Sequence, residues 1–210
     1  MLDVYAFATP NSVKVPIALE ELGLEYTLHG VNIRKGEQKA PDFLARNANG
    51  KVPVLVDSDA PGGSMVLTES AAILVYLAEK TGKLLPTAGI GRARVFEQLF
   101  FHASALGPAF GNAGYFQKLA PEPIAFAIDR FRTEAWRVLG LLEQTLAGQQ
   151  FVAGELLTIA DIAHFGWLWR REFAGVDFAN TPNIARWYAG LESRPAFQRG
   201  IARVNLLIPQ

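Results

Sequence analysis

A proline interrupts the most strand-like run of the chain. In Asn49-Gly-Lys-Val-Pro-Val-Leu-Val56 the β-branched residues favour a sheet, but Pro53 has no N–H to give to a ladder. Pro53 must therefore open a strand or sit at an irregular edge, and the bond before it is a candidate for the cis form. In either case the backbone of Val52 is released from pairing. Shortly downstream, Thr68-Glu-Ser70 precedes the apolar run Ala71–Ala78, so Ser70 falls where a helix begins. A helix N-terminus offers unpaired N–H groups and partial positive charge to an anion. Both halves of this stretch suit a small anionic ligand of peptide character.

Composition narrows the partners. The 210 residues are 50% hydrophobic and 19% charged, the profile of a globular chain long enough for one large domain or two small ones. Twenty basic residues balance twenty acidic ones, leaving no net field to recruit nucleic acid or a charged membrane. The start, Met-Leu-Asp-Val, lacks a basic leader region, and the longest apolar run is too short to span a bilayer, so a soluble, cytoplasmic protein is expected. There is no cysteine, which rules out disulfides, thiolate metal sites and a protein-borne thiol nucleophile. Any sulfur chemistry must come from the ligand. His29, His102 and His164 have no metal-ligand spacing, and no metal is expected.

Taken in order, Leu2, Val4 and Ala6 alternate with Asp3 and Tyr5, predicting a half-buried strand. Thr9-Pro-Asn-Ser12 supplies turn and cap residues, and Val15, Ala18, Leu19 and Leu22 recur at helical spacing up to Gly23. A second strand is expected over 26–33, with a change of phase at Gly30 that marks a possible bulge site. After a polar loop come a short helical turn at 42–45 and two antiparallel strands, 54–57 and 65–67, joined through Pro61-Gly-Gly63. A helix from 70 to 79 completes the order β-α-β-α-β-β-α with a mixed sheet. This is a thioredoxin-like α/β arrangement over residues 1–81. Residues 82–91 read as a linker and 92–210 as an all-α domain, with helices over 92–112, 124–147, 158–173, 182–193 and 195–206. Thr158-Ile-Ala-Asp161 has the form of a capping box, which makes Asp161 a folding residue and not a catalytic one. Pro182 and Pro195 suit first helical positions.

With these elements in place the chain resembles the cytosolic glutathione transferase superfamily over nearly its whole length. The resemblance rests on Asn47-Ala-Asn-Gly-Lys-Val-Pro-Val-Leu55, on Thr68-Glu-Ser-Ala-Ala-Ile73 and on Thr158-Ile-Ala-Asp161, in that order and spacing. Ala48 stands where the family usually has proline. Thr9-Pro-Asn11, together with Gln38, Gly107-Pro108 and Ala127-Ile-Asp-Arg130, is most similar to the bacterial nu-class glutathione-dependent disulfide-bond oxidoreductases.

The resemblance implies a homodimer that uses glutathione as co-substrate. Glutathione carries an anionic group at each end and a thiol between them, so its site needs two anion cradles flanking a thiolate stabiliser. By resemblance Ser70 holds the γ-glutamyl carboxylate, Glu69 the amino group, and the Val52 backbone beside Pro53 the cysteinyl part. Lys51 and Gln38 approach the glycyl carboxylate, and Arg130 a second glutathione. A free thiol titrates near about 8.5, and hydrogen bonds to its charged form lower that value. Thr9 and Asn11 are the catalytic candidates that would donate those bonds. The implied reaction is disulfide reduction, with peroxide reduction as a further activity. Conjugation to an apolar electrophile near Phe101, Phe110 and Tyr115 is a second reading, and a non-catalytic glutathione-binding scaffold a third. Thr9 and Asn11 also suit plain turn and capping roles, Ser70 a plain helix cap, Arg130 an ion pair, and the aromatic residues a core.

Overall fold

The computed structural model describes residues 1–208. Contacts divide the chain into two compact units, Met1–Lys83 joined by the chain from Ser193 on, and Leu84–Glu192.

The first unit is built on a four-stranded mixed sheet of order β2-β1-β3-β4, from β1 (Leu2–Ala6), β2 (Thr27–Gly30), β3 (Val54–Ala60) and β4 (Gly63–Thr68). β1 runs parallel to β2 and antiparallel to β3, which pairs antiparallel with β4. The alternation in β1 has its expected effect: Leu2, Val4 and Ala6 are buried while Asp3 and Tyr5 are half-exposed. One buried layer joins Val4, Leu55, Ile73, Leu74 and Leu77 to Ile17 and Ala18 from helices α1 (Lys14–Leu22) and α3 (Ser70–Thr81). Val31, Phe43 and Val54 form a separate buried cluster with Tyr5 and Val52, Phe43 coming from the short helix α2 (Pro41–Leu44). The fold is thioredoxin-like. β2 is shorter than the 26–33 expected and carries no bulge at Gly30: Val31 N–H still reaches Ala6 C=O (2.8 Å), but Asn32 then turns the chain, its Oδ1 accepting from the N–H groups of Arg34 and Lys35.

Asp57 ties α3 to β3. Its buried carboxylate accepts from Tyr76 Oη (2.6 Å) and pairs with Lys80 Nζ (2.9 Å). Burial by itself would raise this carboxyl, but hydrogen bonds from Tyr76, Lys80 and the Asp59 N–H hold it below the usual carboxylate range.

The second unit holds α4 (Gly89–Phe101), α5 (Gly107–Lys118), α6 (Ala125–Ala147), α7 (Ile159–Trp169) and α8 (Pro182–Glu192). Where one helix over 92–112 was expected, α4 and α5 are joined by a π-helical turn at His102–Leu106. Pro108 supplies the reason: it has no N–H, and its ring excludes an ordinary carbonyl one turn back, so the hydrogen-bond ladder widens just before it. The Thr158 box forms as expected, with Asp161 accepting from Thr158 N–H (2.9 Å).

The end of the chain differs from the expected division. The sequence places helix α9 (Pro195–Asn205) in the all-α domain of 92–210, yet it packs on α1 in the first unit. Arg194 grips Glu21 through two hydrogen bonds (2.6 and 2.9 Å), and Arg199 meets Glu20 at 2.6 Å. An apolar stripe read from sequence shows that a helix buries one face, but it carries no address for that face.

Candidate functional site

The first unit contains a cleft of about 330 Å³ whose walls come from three separate segments. Asn11 enters from the turn before α1. Lys51, Val52 and Pro53, with Asn47 and Asn49, form the loop before β3, and Glu69 and Ser70 begin α3. The Val52–Pro53 bond is cis, and β3 starts only at Val54. Among the described residues the Val52 backbone makes no hydrogen bond. Asn47 shapes this loop from within: its Nδ2 donates to Lys51 C=O (2.7 Å), its Oδ1 accepts from Asn49 N–H (3.0 Å), and its C=O accepts from Gly50 N–H (2.8 Å). Gly50, at φ 63°, makes the reversal that an L side chain would strain.

Glu69 is held in an unusual backbone state, φ 65° and ψ 111°, as the residue preceding α3. Its C=O accepts the helix's first bond, from Ile73 N–H (3.0 Å), while its side chain makes no capping bond and stays exposed. A non-glycine residue in this region is costly by about 1–3 kcal/mol, and such strain clusters at functional sites. The first-turn N–H groups of α3 have no acceptor within the helix. The cleft therefore sets a carboxylate and a helix N-terminus side by side, the complement of a group bearing both an amino and a carboxylate charge.

Beneath these residues lies Lys14, which is fully buried. Its Nζ donates to Asn11 Oδ1 at 2.7 Å and to Ser70 Oγ at 3.2 Å. Burial brings its pKa down from 10.5 to about 7, against the opposing pull of the Glu69 carboxylate.

The sequence-expected residues separate into groups. Asn11, Lys51, Val52, Pro53, Glu69 and Ser70 are brought together. Thr9 lies outside the cleft lining: its hydroxyl donates to Ser12 Oγ (3.0 Å) and accepts from Ser12 N–H (3.1 Å), which fixes the turn into α1. Gln38 sits on a short 3-10 turn with its Oε1 buried and without a partner. Arg130 belongs to the other unit, on α6, 3.7 Å from Glu134. Phe110 takes the core alternative: it is fully buried and packed edge-on against Trp167 (6.5 Å). Phe101 is half-buried near His164, and Tyr115 is exposed against Phe116. Tyr5 is stacked on His29 (4.7 Å) with Arg46 over its ring (4.8 Å). Lys14 was missed, although it shares a helical stripe with the buried Ile17, Ala18 and Leu22.

A wider groove of about 720 Å³ runs past Leu19, Tyr26 and Thr27 in the same unit. In it Glu20 meets Arg199 at 2.6 Å and Arg203 at 3.5 Å. Among the described residues no group of three or more His, Cys, Asp or Glu side chains is placed to hold a metal ion, and no helix is long and apolar enough to cross a membrane.

A thioredoxin-like unit with a cis-proline loop facing a helix N-terminus, followed by a helical unit, defines a class. Residues 8–80 match the glutathione S-transferase N-terminal domain and residues 108–195 its C-terminal domain, and the chain belongs to that family. Within the family it is 39% identical to the disulfide-bond oxidoreductase YfcG of Escherichia coli, over 98% of this chain and 97% of that protein. A glutathione transferase family member from Pseudomonas fluorescens, solved with two glutathione bound, superposes with a TM-score of 0.90 at 38% identity, covering 95% of this chain and 92% of that one. A glutathione transferase from Pseudomonas putida, solved with one glutathione disulfide bound per subunit, gives 0.88 at 38% identity, over 95% and 90%.

Proposed function

We propose that this protein reduces disulfide bonds with glutathione, taking hydroperoxides as further acceptors. The observation that carries the reading is the cleft in which Glu69 and the α3 N-terminus flank Ser70, opposite the unpaired backbone of Val52. Glutathione's γ-glutamyl end presents one amino and one carboxylate group, which suit Glu69 and Ser70 respectively. Its cysteinyl N–H and C=O extend along Val52 as a short antiparallel strand. Lys51 lies nearest the glycyl carboxylate, with Gln38 behind the same loop. Arg130 is proposed to bind a carboxylate of a second glutathione, which exchanges for its loose contact with Glu134.

The thiol of the bound tripeptide then lies near Asn11, which stabilises the thiolate by donating to it and abstracts no proton. Thr9 joins Asn11 as a catalytic residue by turning its hydroxyl from Ser12 to the sulfur. The thiolate attacks one sulfur of the acceptor disulfide, forming a new S–S bond and expelling the other sulfur as a thiolate that takes up a proton. A second glutathione thiolate attacks this mixed disulfide, releasing the second acceptor thiol and glutathione disulfide. Two glutathiones thus supply both electrons. A chain without cysteine can run this cycle, and the relatives solved with two glutathiones or with glutathione disulfide support it.

The same reading takes the protein as a nu-class homodimer in the cytoplasm, where glutathione is kept reduced. Thr9-Pro-Asn11 supports the class, and the exposed Ile90 (81%) and Phe100 (69%) on α4 support an interface. Conjugation remains a second reading because relatives include named glutathione S-transferases and Tyr115 presents an exposed ring. Steady-state rates with a small disulfide, a hydroperoxide and a chloro-nitroaromatic acceptor rank these chemistries. The disulfide should be turned over fastest, and Asn11→Ala should lose most of that rate. Equal disulfide rates in wild type, Thr9→Ala and Asn11→Ala would refute the proposed roles.

A further inference from the structure

Lys14 links the two sides of the cleft. Asn11 and Ser70 lie far apart in sequence, and the same buried ammonium donates to both. Resting on the glutathione reading above, we propose that Lys14 is the positioning residue of the site: it turns the Asn11 amide so that its N–H groups face the ligand sulfur, and orients the Ser70 hydroxyl to donate to the ligand carboxylate.

The chemistry of the donor set leaves little freedom. An ammonium has three donors and no acceptor, so the Asn11 atom at 2.7 Å must be its carbonyl oxygen. The amide nitrogen is then left for the cleft, where a thiolate requires donors. Turned the other way, Asn11 would present oxygen to sulfur and oppose ionisation. At Ser70 one of the two lone pairs accepts from Lys14 at 3.2 Å, so the single hydroxyl proton is directed away from the ammonium.

A purely structural role does not account for a lysine here. Val13, Val15, Ile17 and Ala18 around it are all fully buried, and an aliphatic residue at position 14 would avoid desolvating a charge. Glu69, at the start of α3, is the acidic group acting on Lys14, while Asn11 and Ser70 are neutral. The ligand brings its carboxylate to Ser70, whose Oγ lies 3.2 Å from the ammonium, and its amino group to the exposed Glu69, so the charge added next to Lys14 is the negative one. Ligand binding must therefore be accompanied by proton uptake at Lys14, at a pH where the empty site is partly deprotonated.

Two measurements test this, comparing wild type with Lys14→Met and Lys14→Gln. The first is calorimetric titration with S-methylglutathione, which has no ionisable thiol, at pH 8 in phosphate and in Tris. Wild type should take up part of a proton per site, and Lys14→Met none. The second is the pH titration of bound glutathione by thiolate ultraviolet absorbance. Lys14→Met should raise the thiol pKa by about one unit, lowering the thiolate fraction at pH 6.5 about tenfold, with partial rescue in Lys14→Gln, which keeps a donor. The same substitution should have little further effect in an Asn11→Ala background, because Lys14 acts on the sulfur through Asn11. A well-folded Lys14→Met protein with an unchanged thiol pKa, or wild-type binding without proton uptake, overturns the proposal. No binding of S-methylglutathione to wild type would overturn the glutathione reading as well.

Discussion

Gly200 of α9 sits so close to Ile17 of α1 that a Cβ there would stand 2.7 Å from the Ile17 nitrogen and 2.9 Å from its Cα. Neither neighbour is the end of a flexible side chain, so an added methyl must push the helices apart. Gly200→Ala should destabilise the protein by about 1–3 kcal/mol, read as a lower urea midpoint with an unchanged slope. Because Lys14 rides on α1, the loss should extend to glutathione affinity. A substitution of similar size at Gly190, where an added Cβ would meet nothing within 4 Å, should have a much smaller effect.

Lys14 makes stability depend on pH in an unusual direction for a lysine that has hydrogen-bond partners. The folded protein releases its proton near pH 7, whereas an unfolded chain holds it to the ordinary 10.5. Between those values the unfolded chain binds more protons, so raising the pH favours folding, and the cost of the buried charge is fully present only below about pH 7. Measured against Lys14→Met, wild type should gain about 2–3 kcal/mol between pH 7 and pH 9. A flat difference across that range would show that the site tolerates the charge.

Asp161 has a different use for a buried charge. Its carboxylate accepts from Val152 N–H, Thr158 N–H and Trp187 Nε1, each at 2.9 Å, which joins the start of α7 to α8 and to the preceding loop. Burial nevertheless pushes its pKa up, against these hydrogen bonds. The Thr158 hydroxyl donates to the carboxylate as well, at 3.2 Å, so Asp161→Ala should destabilise the protein by about 3–5 kcal/mol, since four buried donors lose their acceptor together. Thermal melting checks this, and Trp187→Phe should lose less, about 2 kcal/mol, because it removes one hydrogen bond to the carboxylate and part of a buried ring.

That box was legible in the sequence because capping is local: Thr158 and Asp161 lie within one turn, and their chemistry needs no partner from elsewhere. The alternation in β1 and the breaking of a strand at Pro53 were legible for the same reason. Lys14 was not, because lysine is ordinarily solvated and only the pooled context of Asn11, Ser70 and Glu69 gives it a reason to be buried. The π-helical turn before Pro108 and the docking of α9 on α1 depend in the same way on backbone geometry and tertiary contacts. At the site, the residues of the cis-proline loop and the α3 start were legible as a set. For Thr9 and Phe110 the sequence left turn against site and core against pocket open, because the choice is settled by packing: the Thr9 hydroxyl bonds Ser12 and Phe110 is buried.

Glu69 combines backbone strain with the one acidic charge lining the cleft among the described residues, so the two can be separated by substitution. Glycine adopts φ 65° without a Cβ penalty, at an entropic cost of up to about 1 kcal/mol in the unfolded chain. Glu69→Gly should therefore leave the protein as stable as wild type or more stable by about 1 kcal/mol. It removes the partner proposed for the ligand's amino group, and KM for glutathione should rise about tenfold or more, the loss expected for a charged hydrogen bond. Glu69→Gln keeps the strain and removes only the charge, so it should show the raised KM without the gain in stability. Both variants also remove the carboxylate that favours a protonated Lys14, which should move the onset of its pH-dependent stability below pH 7. If Glu69→Gly instead lost stability and kept its KM, the strained backbone would belong to the fold and not to ligand recognition.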